Sequence, residues 1–154
     1  MRFTIFIALI LSTTFFVGCG TDKSNPFGAV YVEGVVTLDG NPIEGATVTF
    51  NPRDGDQAAG GTTDARGKFT VQTGGAPVGS GAKPGVYDVT LRKSRVVGGE
   101  LSQEEYQQQY GNKPLETVYL IPQKYGRTNT SGFEPITVSN NKADNQFTFD
   151  LSSE

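Results

Sequence analysis

The 154-residue sequence contains no histidine, no tryptophan and only one cysteine. Without histidine, Ser-His-Asp and Cys-His catalysis are excluded, and so are zinc sites with histidine or several cysteine ligands. One cysteine cannot form a disulfide within the chain, so the fold depends on its hydrophobic core. Carboxylate pairs and Ser-Lys dyads remain open by composition. The adjacent Glu104 and Glu105 would point about 100° apart on a helix and so cannot form a facing acid–base pair. Ser80 and Lys83 lie in a glycine-rich loop that fixes no geometry between them.

The first 20 residues, MRFTIFIALILSTTFFVGCG, carry a single charge, on Arg2. Residues 3–17 are apolar apart from four serines and threonines. This run has the length of the apolar region of an export signal and is shorter than the roughly 20 residues of a membrane-spanning helix. The only cysteine, Cys19, follows directly after it. We therefore predict an export signal over residues 1–18.

The triplet Val17-Gly18-Cys19 resembles the end of the lipobox of bacterial lipoproteins. That resemblance implies that the Cys19 thiol receives a diacylglycerol and that cleavage makes Cys19 the first residue. Phe16 departs from the lipobox, where leucine is usual. Gly20, in place of an aspartate that would retain the protein at the inner membrane, favours the outer membrane. The alternative is a free thiol beside an ordinary cleaved signal.

Removal of residues 1–18 leaves 12 basic and 16 acidic residues, a net charge of −4, because Arg2 is the only charge lost. No basic cluster favours a nucleic-acid partner, and we expect none. The remaining length suits one domain. We interpret residues 19–28 as a lipidated tether and residues 29–154 as the domain.

Alternating apolar residues predict about seven short strands joined by tight turns. They lie in residues 30–38, 46–52, 61–63, 68–72, 86–93, 135–138 and 146–151, with a further extended stretch at 118–125. Segments 61–63 and 68–72 flank the turn Asp64-Ala65-Arg66-Gly67 and are predicted to form a hairpin. This pattern indicates an all-β fold, an antiparallel β-sandwich around one core.

Residues 94–118 interrupt the strand pattern and are predicted to form a short helix or a surface loop. Ser102 and Glu105 have the spacing of a capping box before a stretch of helix formers. Long insertions between strands often carry function, and tyrosine favours interfaces. Our candidate binding surface is therefore Tyr106, Tyr110, Glu104 and Glu105. The alternative is a solvated loop without a binding role.

Three segments in order, GNPIEGATV (40–48), TDARGKF (63–69) and PGVYDV (84–89), resemble the carboxypeptidase regulatory-like domain. The resemblance covers roughly residues 30–93 and implies a transthyretin-like sandwich that acts as a non-catalytic accessory module. The hydroxyisourate hydrolases share that fold but use histidines and a C-terminal Tyr-Arg-Gly-Ser motif. This chain has no histidine and ends in DLSSE, so that activity is not expected.

Two other chemistries are disfavoured by the sequence. Asp54, Asp56 and Asp64 could supply oxygen ligands to calcium, but their spacing matches no known calcium loop, and turn aspartates are the better interpretation. Pilin-type sandwiches can form a Lys–Asn isopeptide bond, and Glu33 and Asn145 could serve as acid and asparagine. The first strand contains no lysine, so no such cross-link is expected.

The sequence therefore predicts a non-catalytic lipoprotein of the cell envelope without a cofactor or metal. It would bind the membrane through Cys19 and present loops or a sheet edge to an envelope protein. The alternative hypothesis is a carbohydrate-binding module with a glycan partner. The absence of tryptophan argues against an aromatic sugar platform.

Overall fold

The computed structural model describes residues 28–154. The predicted signal at residues 1–18, the lipidation site Cys19 and all of the predicted tether except Gly28 lie outside the described residues. Eleven strands and one α-helix follow one another in residues 28–154: β1 (Glu33–Leu38), β2 (Asn41–Pro42), β3 (Thr47–Pro52), β4 (Ala59–Thr62), β5 (Lys68–Thr70), β6 (Gln72–Thr73), β7 (Gly85–Arg92), β8 (Ser94–Val96), α1 (Gln103–Tyr110), β9 (Thr117–Tyr119), β10 (Ile136–Val138) and β11 (Gln146–Leu151).

The strands form two facing sheets and a separate ribbon. In the first sheet β1 lies between β11 on one side and β2 and β5 on the other. The second sheet has the order β10-β7-β3-β4-β6, and β8 pairs with β9 alone. The predicted all-β sandwich is confirmed. One pairing, between β1 and β11, is parallel, and the strands outnumber the seven expected because several have only two or three residues.

The core lies between the two sheets, on the faces that the alternating pattern predicted. Phe50 on β3 is fully buried, and its ring contacts rings from the opposite sheet and from β7. The other buried residues of the predicted strand faces are Val32, Val36, Ala46, Val48, Phe69, Val71, Tyr87, Val89, Leu91, Val138, Phe149 and Leu151. Period-two alternation thus identified the inward side of each strand, because one face of each sheet must leave water.

The predicted hairpin of residues 61–72 forms only in part. The turn after β4 is present: the Gly67 N–H donates to the Asp64 carbonyl at 2.9 Å, and Gly67 has a positive φ of 72°. However, β5 pairs with β1 in the first sheet, while β6 pairs with β4 in the second. The chain therefore passes between the two sheets at Val71, and only β6 returns to pair with β4.

One end of the sandwich, which we call the N-terminal end, is defined by Val30, Ala82, Gly85, Val138 and Asn145. Val30 pairs with Ala82 just before β7, and the Asn145 carbonyl accepts from the Glu33 N–H at 3.1 Å. The Asn145 side chain is buried and bonds the Ser139 N–H and carbonyl at 2.8 and 2.9 Å. These contacts place Val30, near the start of the described residues, at this end.

The opposite end, which we call the arm end, is defined by Leu38, Arg92, Tyr125 and Leu151. Leu38 pairs with Leu151, and the Tyr125 hydroxyl accepts from the Ser152 N–H at 2.8 Å. The Arg92 guanidinium donates to the Gly126 carbonyl at 2.8 Å, which joins the second sheet to the same end. The eight-residue strand β7 runs from one end to the other, a separation of about 25 Å for extended chain.

Candidate functional site

The segment from Ser94 to Tyr119, which we call the arm, projects from the arm end as a β-ribbon that carries a helix. Strands β8 and β9 pair in antiparallel fashion, with Ser94 opposite Tyr119 and Val96 opposite Thr117. At the base of the arm, the Leu120 N–H donates to the Lys93 carbonyl at 2.8 Å. Leu91 and Ile121 on either side are buried in the core. The arm is therefore fixed to the sandwich through two adjacent, well-packed strands.

Helix α1 begins with the predicted capping box, which is confirmed. The Glu105 N–H donates to the Ser102 hydroxyl at 3.3 Å, and the Ser102 N–H donates to the Glu105 carboxylate at 2.9 Å. The pKa of Glu105 is held below its usual range, chiefly by this backbone hydrogen bond and to a smaller extent by the bond from the Ser102 hydroxyl. The Glu105 carboxylate is therefore used to start the helix, and both Glu105 and the neighbouring Glu104 are exposed.

Tyr106 and Tyr110 pack against the ribbon as well as facing solvent. Their ring centroids lie 4.9 Å apart with a 33° tilt. Gly98 lies directly beneath them, because a Cβ at that position would come within 2.7 Å of the Tyr106 ring. Gly98 also has a positive φ of 71°, which only glycine adopts at little cost. The two tyrosines therefore attach the helix to the ribbon, and each ring is only partly accessible.

The most exposed apolar side chains of the arm belong to the ribbon and to the loop after the helix. Among the described residues, six large hydrophobic side chains are exposed: Val78, Val86, Val96, Leu115, Tyr119 and Leu120. Three of these lie in the arm, and Leu120 is the residue that follows it. Exposed apolar side chains gathered in one projecting segment are typical of an interaction surface. Leu115 and Tyr119 are 62% and 52% exposed.

A groove of about 690 Å³ lies on the outer face of the first sheet. Its walls include Tyr31, Glu33, Lys68, Gln146 and Thr148. The Tyr31 hydroxyl donates to the Glu33 carboxylate at 3.0 Å, and the Lys142 ammonium lies 4.6 Å from the centre of the Tyr31 ring. The hydrogen bond to Glu33, together with partial desolvation, raises the pKa of Tyr31. The groove is thus lined by polar and apolar groups, among them the aromatic residues Tyr31, Phe69 and Phe147.

The three aspartates considered for calcium have separate structural roles. Asp56 forms an ion pair with Lys83 at 2.8 Å, and the resulting hydrogen bond lowers the pKa of Asp56. Asp64 accepts the backbone N–H groups of Lys68 and Arg66 across its turn, and the bond from Lys68 is the main cause of its lowered pKa. Asp54 accepts the Asp56 N–H at 3.0 Å. In residues 28–154 no group of three acidic or cysteine side chains could hold a metal ion.

Glu33 and Asn145, considered for an isopeptide bond, are both engaged in hydrogen bonds. The Asn145 side-chain amide bonds the backbone of Ser139 and donates to the Tyr31 carbonyl at 3.4 Å. Glu33 accepts from Tyr31 as described above. Asn145 therefore joins the chain before β11 to the start of β1 as a structural residue.

Within residues 28–154 no helix is long and apolar enough to cross a bilayer. The predicted lipidation at Cys19 and the export signal lie outside these residues.

No family model and no curated protein matches this chain. Among solved structures, it is similar to a crystal structure of a candidate adhesin from Bacteroides ovatus, with a TM-score of 0.44 and 16% sequence identity. That similarity covers 90% of this chain and 50% of the other, so this chain spans about half the length of the structure it matches.

Proposed function

We propose that this protein is an exported, lipid-anchored and non-catalytic module of the cell envelope that presents its arm to a partner. The observation that carries the proposal is the separation of the chain's point of attachment from the arm. Gly28 lies beside the N-terminal end, two residues before Val30. The arm leaves the opposite end after β7. The sandwich would therefore act as a rigid spacer.

The anchor in this proposal is the lipidated Cys19, as the lipobox resemblance implies. Residues 19–27 would then be the only link between the lipid and the domain, with a reach of at most about 30 Å when extended. A tether of this length would keep the N-terminal end close to the membrane. The arm would lie farther out by the length of the sandwich. Gly20 after the cysteine favours the outer membrane in two-membrane bacteria.

The contact surface in this proposal is the ribbon of the arm rather than the tyrosines of its helix. Val96 and Tyr119 are exposed on the ribbon and Leu115 on the loop that leads into β9, while Tyr106 and Tyr110 are partly covered by their contact with Gly98. Apolar and aromatic residues that are already held by a rigid backbone bind with little loss of conformational entropy. The arm lies outside the segment that resembles the carboxypeptidase regulatory-like domain, so the module would present an element of its own.

A binding role is favoured over catalysis by the state of the polar groups. Lys83, which a Ser-Lys dyad would need as its base, is in an ion pair with Asp56. Glu105 caps its helix, and Glu33 accepts a hydrogen bond from Tyr31. Among residues 28–154 these three groups are therefore engaged in structural contacts, and histidine, the commonest general acid and base, is absent from the sequence.

A second candidate function, glycan binding, is favoured by the groove on the first sheet. Its hydroxyl, amide and carboxylate groups can bond sugar hydroxyls, and Tyr31 offers a ring at the rim. The Lys142 ammonium over that ring makes it a poorer sugar platform than an open aromatic face. Binding of the purified protein to a glycan array, abolished by Tyr31→Ala, would favour this candidate over the arm.

Replacement of the arm tests the proposal. Because Lys93 and Leu120 are hydrogen-bonded neighbours, residues 94–119 can be exchanged for an Asn-Gly turn that closes the ribbon at its base. We expect the variant to keep its far-ultraviolet circular dichroism and its membrane fractionation. It should lose the envelope proteins that cross-link to the intact chain in cells.

The control is Val78→Ser, which removes an apolar side chain that is 86% exposed and lies outside the arm. This variant should cross-link as the intact chain does. A folded arm-replacement variant that retains every cross-linked partner would contradict the proposed role of the arm.

A further inference from the structure

The two edges of the ribbon expose different backbone groups. The Val97 N–H donates to the Glu116 carbonyl, and the Leu120 N–H donates to the Lys93 carbonyl. Arg95 lies opposite Val118 in the same register. Along β9 the backbone groups that point toward β8 are therefore those of Glu116, Val118 and Leu120. The N–H and C=O groups of Thr117 and Tyr119 must then point away from β8. The outer edge of β9 can therefore accept another strand.

The two edges also differ in charge. Strand β8 is flanked by Lys93 and carries Arg95 at its centre, and charged residues of this kind protect an edge from pairing. Strand β9 and the three residues after it read TVYLIP (117–122) and contain no charge, and the flanking charge is Glu116, before the strand. Its β-branched and aromatic residues favour strand pairing. The unprotected edge is thus the one on β9.

We propose that the arm binds a second copy of this chain by antiparallel pairing of β9 with β9, which would make the ribbons one four-stranded sheet. The inference rests on the proposed function, in that the arm is the contact surface, and it names the partner. The two-fold axis would pass beside Val118. Thr117 of each copy would then oppose Tyr119 of the other and exchange backbone hydrogen bonds with it.

Self-pairing through β9 fits better than the alternatives because of the positions of the charges. Pairing of β8 with β8 about its central residue would place Arg95 directly opposite itself, and like charges in that position are destabilising. Pairing of β8 with β9 is heterologous and would not close into a dimer. In the β9 pairing, Glu116 of one copy opposes the uncharged Leu120 of the other. In that other copy Lys93 lies beside Leu120 on strand β8, so Leu120 separates it from the Glu116 that comes from the first copy. The nearest charges along this row of the sheet are therefore of opposite sign.

The dimer would be weak in free solution, because strands of three residues form a small interface. Interfaces below about 1,200 Å² are typical of transient complexes. Attachment of both copies to one membrane would raise their effective concentration and favour the pairing. The open edge would thus be used mainly by molecules that are side by side at the same surface.

Cysteine cross-linking in the full-length chain tests the pairing. At the two-fold axis Val118 is a non-hydrogen-bonded pair with itself, with Cβ atoms about 4.5–5.5 Å apart. We expect Val118→Cys to form a disulfide-linked dimer under mild oxidation, at least tenfold more than the control variant Ser94→Cys. Ser94 is the matched control because it is exposed and lies on β8, opposite Tyr119, and its replacement leaves Arg95 in place to protect that edge. The chain without an added cysteine sets the background from Cys19.

Equal cross-linking of the two variants, or none above the background, would overturn the pairing. Circular dichroism of each variant shows whether it is folded, which separates a folding defect from a lack of pairing. A second variant, Tyr119→Pro, tests the pairing itself. This change removes an outward N–H, and in the Val118→Cys chain it should abolish the dimer. Failure of this inference is distinguishable from failure of the proposed function. If only the self-pairing is wrong, arm replacement would still remove cross-linked partners other than a second copy. If the proposed function is wrong, arm replacement would remove no cross-linked partner.

Discussion

Phe50→Ala is expected to lower the free energy of unfolding by about 3–5 kcal/mol, the usual cost of removing a buried phenylalanine ring. Phe50 is fully buried on β3, and its ring centroid lies 5.8–6.5 Å from those of Phe147, Phe69 and Phe149 in the opposite sheet. The cavity would therefore open between the two sheets, where neither can collapse without moving the other. Natural domains have only about 5–15 kcal/mol of stability in total.

Urea unfolding followed by circular dichroism measures this loss, since the chain has no tryptophan to report by fluorescence. Leu115→Ala is the control, because Leu115 is 62% exposed and its removal should change the stability by less than about 0.5 kcal/mol. A loss below about 1 kcal/mol for Phe50→Ala would show that Phe50 does not join the two sheets.

Cys19→Ala is expected to shift the protein from the membrane fraction to the soluble fraction almost completely. A diacylglycerol contributes two acyl chains, and each buried methylene adds roughly 0.8 kcal/mol to membrane binding. The intact chain should have the mass of a polypeptide that begins at Cys19 and carries lipid. The variant cannot receive the lipid, so its mass should contain no lipid addition.

The matched control is Thr21→Ala, which changes a polar residue two positions beyond the cysteine and leaves the thiol in place. It should fractionate with membranes as the unaltered chain does. If the unaltered protein carries no lipid, or if Cys19→Ala stays in the membrane fraction although its mass shows that residues 1–18 have been removed, the anchor is not at Cys19. The domain would then be a module that reaches the membrane, if at all, by other contacts.

Local patterns were sufficient to predict the inward faces of the strands and the start of the helix. Val48 and Phe50 on β3, like Val89 and Leu91 on β7, alternate with polar residues because each sheet has one dry face. The capping box of Ser102 and Glu105 involves backbone atoms only three residues apart. Both signals are contained within a few residues, so the sequence is enough to detect them.

Pairings between distant segments could not be predicted in this way. The ribbon joins residues 94–96 to residues 117–119, and the parallel pair joins β1 to the last strand of the chain. The division of residues 68–73 between two sheets depends on which neighbour each half meets, and both halves have strand-forming residues. Single-sequence alternation contains no information on partners.

The candidate binding residues illustrate the same limit. The tyrosines at 106 and 110 were selected because tyrosine favours interfaces. Their contact with Gly98 depends on a turn in the ribbon that no helix pattern shows. Conversely, Tyr119 was part of a stretch predicted to be extended, and its exposure follows only from the projection of the ribbon beyond the sandwich. A charge-free run such as TVYLIP next to a long insertion is the signal that could have indicated an open edge.

The proposed arrangement places the two ends of the sandwich at different distances from the bilayer, and fluorescence quenching measures this directly. In the lipidated chain Cys19 is blocked, so a single added cysteine can be labelled. Leu115→Cys places the dye on the arm, and Ala143→Cys places it beside Asn145 at the N-terminal end, where both original side chains are exposed.

With the protein on vesicles that contain a headgroup quencher, we expect strong quenching of the dye at position 143 and little at position 115. The expected difference follows from a separation of about 25 Å along the strands. Equal quenching at both positions, or stronger quenching at position 115, would contradict the presentation of the arm away from the membrane.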